Sequence, residues 1–302
     1  MIIEAGGYNL ICTESPEGLI ISDYEGSGAV LDISSDQRIT GIDKKVFFCC
    51  RSIRKVYLPE SIRFIGDWCF SKCDNLEYFS VRALADGRIF SRGVFDGCTR
   101  LKEVVFTDSS PDLAVLLAAS VAHMSNDHLL RSDDLGQRFW YEKWDISLFA
   151  LLGADDGVSS KNIPLGGEED ISNDGIGSVD GEMSGETNEY VKRIATGKCT
   201  LCYLRLIHNE HLSEESETKI RAYLKERAYG TVSPWAWIAL KENEVNGTDH
   251  LQIYLSVVSP DKAAIKDMIA DLDPAKVQSK AFLISEAAKM SETASILDDL
   301  MI

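Results

Sequence analysis

The stretch VFFCCRSIRKVYLPESIRFIGDWCFSKCDNLEYFSV, from Val46 to Val81, states one pattern twice. Phe47, Cys50, Ile53, Val56 and Leu58 return as Phe70, Cys73, Leu76, Phe79 and Val81, each shifted by 23 residues. A third copy, Phe95, Cys98, Leu101, Val104 and Phe106, follows 25 residues later, so two residues are inserted around RALADGR. A fixed period of this length leaves a chain few options. It predicts a solenoid in which each coil adds one short strand and stacks on its predecessor, about 4.8 Å per rung. Like positions then meet their own copies, so the Phe column and the aliphatic columns form one continuous core.

Within each unit, SIRKVYL, NLEYFSV and RLKEVVF read as strands. The pairs Val56/Leu58, Phe79/Val81 and Val104/Phe106 alternate inward. The cysteines Cys50, Cys73 and Cys98 fall in one column, where a small, weakly polar side chain suits a tight interior corner. Upstream, GLIISDYEGSGAVLDISSDQRITGID predicts two strands joined by a Gly-rich turn, covering the open end of the solenoid.

IISDYEG, VLDIS and ITGIDKKVFFCCRSIRKVYLPESI resemble the BspA-type leucine-rich repeats of bacteria and some protists. The matching features are the Tyr24-x-Gly26 turn, Ile39 and Ile42, Phe47, Cys50, and Leu58-Pro59 followed by Ile62 and Ile65-Gly66. The resemblance covers roughly residues 8–108. It departs at Ser34, Arg82 and Thr107, where the family has Pro after the strand, and its third unit is longer. It implies a module for adhesion or protein interaction, and it carries over no catalytic residue.

After Phe106 the apolar spacing becomes helical. PDLAVLLAASVAHMSNDHLL reads as one helix of about 15 residues opened by Pro111 and Asp112, and FWYEKWDISLFALLG as another. Residues 153–188 hold nine Asp or Glu and one Lys among many Gly, Ser and Asn, the composition of a long loop. From Asn188 on, the pattern predicts about six or seven helices joined by short turns. Ser213 is placed as an N-cap, and SPWAWIALKENE, SPDKAAIKDMIADL and DPAKVQSKAFLISEAAKM are each read as opening on a cap followed by Pro. SETASILDDLMI is read as a separate last helix. Two segments resemble helix-hairpin halves of ankyrin-like or HEAT-like arrays. The expected fold is therefore α+β: a leucine-rich-repeat β-solenoid over residues 1–110, a helical connector over 111–152, an acidic loop over 153–188 and an all-α helical, helix-hairpin domain over 189–302.

Chemistry is sparse. Cys199 and Cys202 with His208 and His211 have the ligand types of a zinc site. Yet on one helix His208 lies about 180° from Cys199, and His211 about 18 Å along the axis. Asp170, Ser172, Asp174 and Gly175 begin a calcium loop, but position 12 is Gly181 and Glu182 comes one residue late. No nucleophile elbow or phosphate-binding Gly motif is present, so no catalytic, metal or cofactor-binding residues are assigned, and the chain is read as a non-enzyme. A net charge of -17 disfavours nucleic acid and anionic membrane as partners. No apolar run is long enough to span a bilayer. The N-terminus has neither the basic region nor the apolar core of a secretory signal, and the cysteines are sparse, so the expected place is the cytoplasm. An export signal upstream would instead make a cell-surface adhesion module. The remaining feature is the outward side of the repeat strands: Lys55, Tyr57, Glu77, Tyr78, Ser80, Lys102, Glu103 and Val105, a candidate face for a protein partner.

Overall fold

The structure, a computed structural model, describes residues 1–83, 86–154, 185–242 and 248–300. The chain divides into two compact units. One comprises Met1–Leu151 with Leu201–Ile220, the other Leu152–Thr200 with Arg221–Ile302.

The first unit begins with a solenoid of nine strands: β1 (Ile2–Ala5), β2 (Tyr8–Ser15), β3 (Gly18–Gly26), β4 (Val30–Asp32), β5 (Ile39–Ile42), β6 (Lys55–Leu58), β7 (Phe64–Ile65), β8 (Tyr78–Val81) and β9 (Glu103–Phe106). They form two sheets, ordered β1-β2-β3-β5-β7 and β4-β6-β8-β9. The second sheet is parallel throughout, with Val56 opposite Phe79 and Phe79 opposite Val104. These pairings carry the 23- and 25-residue intervals of the sequence directly into strand register. Leu31, at the head of the same row, makes a first coil 25 residues before Val56. Part of the expected insertion, Leu84 and Ala85, lies outside the described residues.

The sequence between Gly18 and Asp43 was expected to hold two strands joined by a Gly-rich turn and covering the open end of the solenoid. Instead β3 joins the first sheet and β4 the second, because the chain turns a corner of the coil at Ser27–Ala29 rather than reversing. The open end is covered by β1 and β2, which pair antiparallel with each other and with β3.

The aromatic column is continuous. Tyr24 stacks on Phe47 at 4.8 Å, Phe47 on Phe70 at 5.1 Å and nearly parallel, and Phe70 on Phe95 at 6.2 Å. Tyr8 closes the column edge-on against Phe47 and Tyr24. Each such pair adds roughly 0.5–1.5 kcal/mol beyond the burial of its area. The thiol column lies beside it and is hydrogen-bonded rather than inert. Cys73 Sγ donates to the carbonyl of Phe47 at 3.1 Å, and Cys98 Sγ to that of Phe70 at 3.0 Å, each reaching back one coil. Among the described residues no cysteine is in a disulfide. The neighbouring Cys98 and burial push the Cys73 thiol up, and burial pushes Cys69 up to about 12.

The turns between the two sheets put two columns into the left-handed region. Lys45, Trp68 and Gly93 have φ of 60°, 55° and 62°; Cys49, Lys72 and Gly97 have 59°, 58° and 76°. Only the third coil meets this demand with glycine. A Cβ on Gly97 would touch Lys72 Cγ at an ordinary 3.4 Å, whereas one on Gly93 would lie 2.7 Å from the Trp68 ring. Gly97→Ala is therefore expected to cost about 1–2 kcal/mol from conformation alone. Gly93→Ala is expected to cost more, because the indole must also move. Urea midpoints of the two variants check this order, and a costlier Gly97→Ala would contradict it.

Three helices follow: α1 (Pro111–Ala122), α2 (Asp127–Leu130) and α3 (Arg138–Gly153). The single helix expected over residues 111–130 is thus two, separated at Ser125, which has a φ of 51°. Ser110 caps α1, its hydroxyl accepting from the Leu113 N–H. α1 packs against β9 and covers the far end of the solenoid. Trp140 and Trp144 are buried, their indoles donating to the carbonyls of Leu129 and Leu116.

The remaining helices are α4 (Gly185–Ile207), α5 (Glu214–Lys225), α6 (Trp235–Glu242), α7 (Asp249–Val258), α8 (Lys262–Asp271) and α9 (Val277–Leu300). The last turns of α4 and the turn after it, within Leu201–Ile220, group with the first unit. In the second unit Trp237 is the central aromatic, edge-on to Tyr229 and tilted against Tyr254, its indole N–H donating to Asp271 at 2.6 Å. That bond, with Lys241 beside it, holds the Asp271 carboxyl below the usual carboxylate range.

Two expectations about this region are corrected. Ser259 does not cap α8; it ends α7 in the left-handed conformation, and Asp261 caps α8 by accepting from the Ala264 N–H. A carboxylate right after Pro reaches the first turn better than a residue still held by the preceding helix. Likewise SETASILDDL is not a separate helix, because α9 runs through it; Ser291 and Glu292 bring no breaker.

Candidate protein-binding face

The outward side of the four-stranded parallel sheet is built from two rows. Register places Val30, Lys55, Tyr78 and Glu103 side by side in one row, and Asp32, Tyr57, Ser80 and Val105 in the next. The alternation that buries Leu31, Val56, Phe79 and Val104 leaves these neighbours on the other side. A third row precedes the strands: Arg54, Glu77 and Lys102, tied through the backbone as Glu77 N–H donates to Arg54 and Lys102 N–H to Glu77. All eight residues singled out from the sequence lie on this side. The reading missed Val30, Asp32 and Arg54. The 25-residue step from Val30 to Lys55, the same as that from Tyr78 to Glu103, was the signal available for the first two.

Lys55, Lys102 and Glu103 are exposed, while Tyr57, Glu77, Tyr78, Ser80 and Val105 are half-buried. Tyr57 and Tyr78, diagonal neighbours on adjacent strands, bring their rings to 5.3 Å at 40°. Neither hydroxyl makes a hydrogen bond among the described residues, so both polar tips face outward from a shared apolar body. Arg54 donates to Glu77 at 2.7 Å, and this bond holds the Glu77 carboxyl below its usual range, with Lys102 adding to the effect. The face therefore offers a fixed aromatic pair flanked by charges of both signs.

Among the described residues, no group of three or more His, Cys, Asp or Glu could hold a metal ion. Cys199 and Cys202 are buried on α4. His208 is paired with Asp112 at 2.8 Å, and the His211 ring packs 5.3 Å from that of Tyr141. The stretch from Asp170 to Glu182 lies outside the described residues. No described helix is long and apolar enough to cross a membrane.

Comparison with known proteins agrees with the coil geometry. A family model of the BspA type leucine rich repeat region matches residues 23–114 in six copies. Those residues are a BspA-type leucine-rich-repeat region. Repeat regions of this type serve as protein-interaction or adhesion modules and are typically non-enzymatic. The family match begins inside β3 and ends in the first turn of α1, so it takes in all four strands of the parallel sheet. Among solved structures, the crystal structure of a T. pallidum leucine rich repeat protein is 25% identical, with a TM-score of 0.25. The likeness covers 32% of this chain and 47% of that one, about half its length. No curated protein matches.

Proposed function

We propose that this is a protein-interaction or scaffold protein whose leucine-rich-repeat sheet docks another protein through the Tyr57/Tyr78 face. The observation that carries the reading is the tyrosine pair itself. Two rings in contact, held on a rigid parallel sheet with free hydroxyls, present a large amphipathic area at small cost in side-chain entropy. The mixed charges of Arg54, Lys55, Glu77 and Glu103 form a rim suited to orientation rather than to bulk electrostatic attraction. The partner is a folded protein rather than nucleic acid, a choice supported by the net charge of -17. A cytoplasmic setting is supported by the low cysteine density of the sequence.

The test is capture of partners from the native host with wild-type protein and with a Tyr57→Ala/Tyr78→Ala variant. The captured protein is then purified and its affinity for both forms measured. The pair is expected to weaken binding at least tenfold, about 1.4 kcal/mol or more, with the urea midpoint of the solenoid little changed. Equal affinity for the two forms would remove this face from the account.

A further inference from the structure

A second surface lies away from the sheet face, on the turns that link the two sheets at residues 43–50, 66–73 and 91–98. Lys45, Phe48, Trp68, Ser71, Lys72 and Asp96 line an open cleft there of about 470 Å³. Trp68 is its floor. The indole lies against Gly93, where a Cβ would come within 2.7 Å of the ring, and the Lys45 ammonium and Arg92 guanidinium each sit 5.4 Å from the ring centre. Lys72 sits 5.8 Å from the Phe48 ring, which is 41% exposed.

Three observations suggest that this cleft receives something. First, Trp68 has a φ of 55°, a conformation that costs a bulky side chain roughly 1–2 kcal/mol. The next coil places Gly93 at the same position, so the turn does not require an indole there. Second, three exposed cations converge on the two rings, Lys45 and Arg92 on Trp68 and Lys72 on Phe48, and none of the three has a carboxylate ion pair among the described residues. Third, the Trp68 indole N–H has no hydrogen-bond partner among the described residues. Of the nearby carboxylates, Asp67 accepts from the Arg92 backbone N–H at 2.9 Å, and Asp96 is the one carboxylate among the described residues that lines the cleft, against the two lysines. Charge is also unevenly divided along the chain. Residues 1–110 hold 13 Lys and Arg against 16 Asp and Glu, so most of the net -17 lies beyond the solenoid.

We propose that this turn cleft binds a short acidic segment of a partner protein, one in which carboxylates alternate with aliphatic side chains. Carboxylates would meet Lys45, Lys72 and the Trp68 N–H, and aliphatic groups would lie on the Trp68 and Phe48 rings. Aromatic rings between unpaired cations match that alternation. A nucleic acid strand fits less well, because the chain's net charge of -17 opposes the approach of a continuous polyanion more than that of a short segment with a few carboxylates.

The test is fluorescence anisotropy with the full chain and a short labelled peptide of alternating Glu and Leu at low salt. Saturable binding that weakens with salt is expected. Lys45→Glu/Lys72→Glu is expected to weaken it at least tenfold, and Trp68→Gly, which suits the left-handed conformation and so preserves the turn, by a similar factor. Tyr57→Ala/Tyr78→Ala should leave it unchanged, which separates this site from the sheet face. An alternating Lys and Leu peptide and a single-stranded oligonucleotide should bind weakly or not at all. No saturable binding of the Glu and Leu peptide would overturn the proposal. So would equal binding by the charge-reversed protein, or tighter binding of the oligonucleotide.

Discussion

Phe70→Ala is expected to lower the stability of the solenoid by about 3–5 kcal/mol. Phe70 is fully buried at the centre of the aromatic column, stacked between Phe47 at 5.1 Å and Phe95 at 6.2 Å and edge-on to Phe79 at 5.4 Å. Truncation removes the transfer energy of a benzyl group and leaves a void that stacked coils cannot easily close. Their spacing is fixed by backbone bonds to both neighbouring coils: the Phe70 N–H donates to the Val94 carbonyl, and the Cys69 carbonyl beside it accepts from the Phe47 N–H. A solenoid also has no alternative route for cohesion, since each coil touches only its neighbours. The coil of Phe70 is what connects the coil of Phe47 to that of Phe95. Phe48→Ala is the matched control. The same deletion one residue along, at a ring that is 41% exposed, should change stability by about 1 kcal/mol or less. Urea midpoints of the two variants decide the matter. A Phe70→Ala cost below about 1 kcal/mol would mean that the column is not the structural axis of this fold.

That column was legible because a repeat removes ambiguity. One Phe in a sequence predicts little, but Phe47, Phe70 and Phe95 at matched offsets from Cys and aliphatic positions must share an environment. The sheet register and the outward row of Tyr57 and Tyr78 follow from the same periodicity. The first coil was harder to read, because Tyr24 replaces Phe at the head of the column and a Gly-rich corner separates β3 from β4. The β1–β2 hairpin escaped for a related reason. Its Tyr8, Leu10 and Cys12 alternate as a strand should, but they stand outside the repeat and pair antiparallel. β7 has two residues, too few for any period to register. The cleft around Trp68 depends on φ values that side-chain patterns do not report. Least legible of all were contacts between distant segments. The sequence treats the end of α4 as part of a helical domain, whereas Leu201–Ile220 groups with the first unit through side chains whose partners lie 60 to 100 residues earlier.

Arg205 is the centre of those contacts, and Arg205→Ala is expected to cost about 3–5 kcal/mol. Its side chain is 0% exposed. Nε donates to Asp145 Oδ1 on α3 at 2.6 Å, while Nη1 and Nη2 donate to the carbonyls of His208 at 2.6 Å and Glu210 at 3.1 Å. Glu210 in turn accepts from Tyr141 and from Ser110, the cap of α1. One guanidinium thus fixes the turn after α4 to both helices. Removing it leaves Asp145 buried without its counter-charge. Burial already pushes the Asp145 carboxyl above the usual range, and Arg205 is the main influence pulling it down, so the variant's carboxyl rises further. The folded state then holds a proton that the unfolded state, with a pKa near 3.9, has released, and stability falls as pH rises through that interval. The deficit of Arg205→Ala should therefore be smaller at about pH 5 than at about pH 7.5. Replacing both charges, as Arg205→Met with Asp145→Leu, should recover most of the loss but not all. The carbonyls of His208 and Glu210 would still lack their donor. Additive single and double variants, or a deficit that does not depend on pH, would show that the turn is held by packing alone.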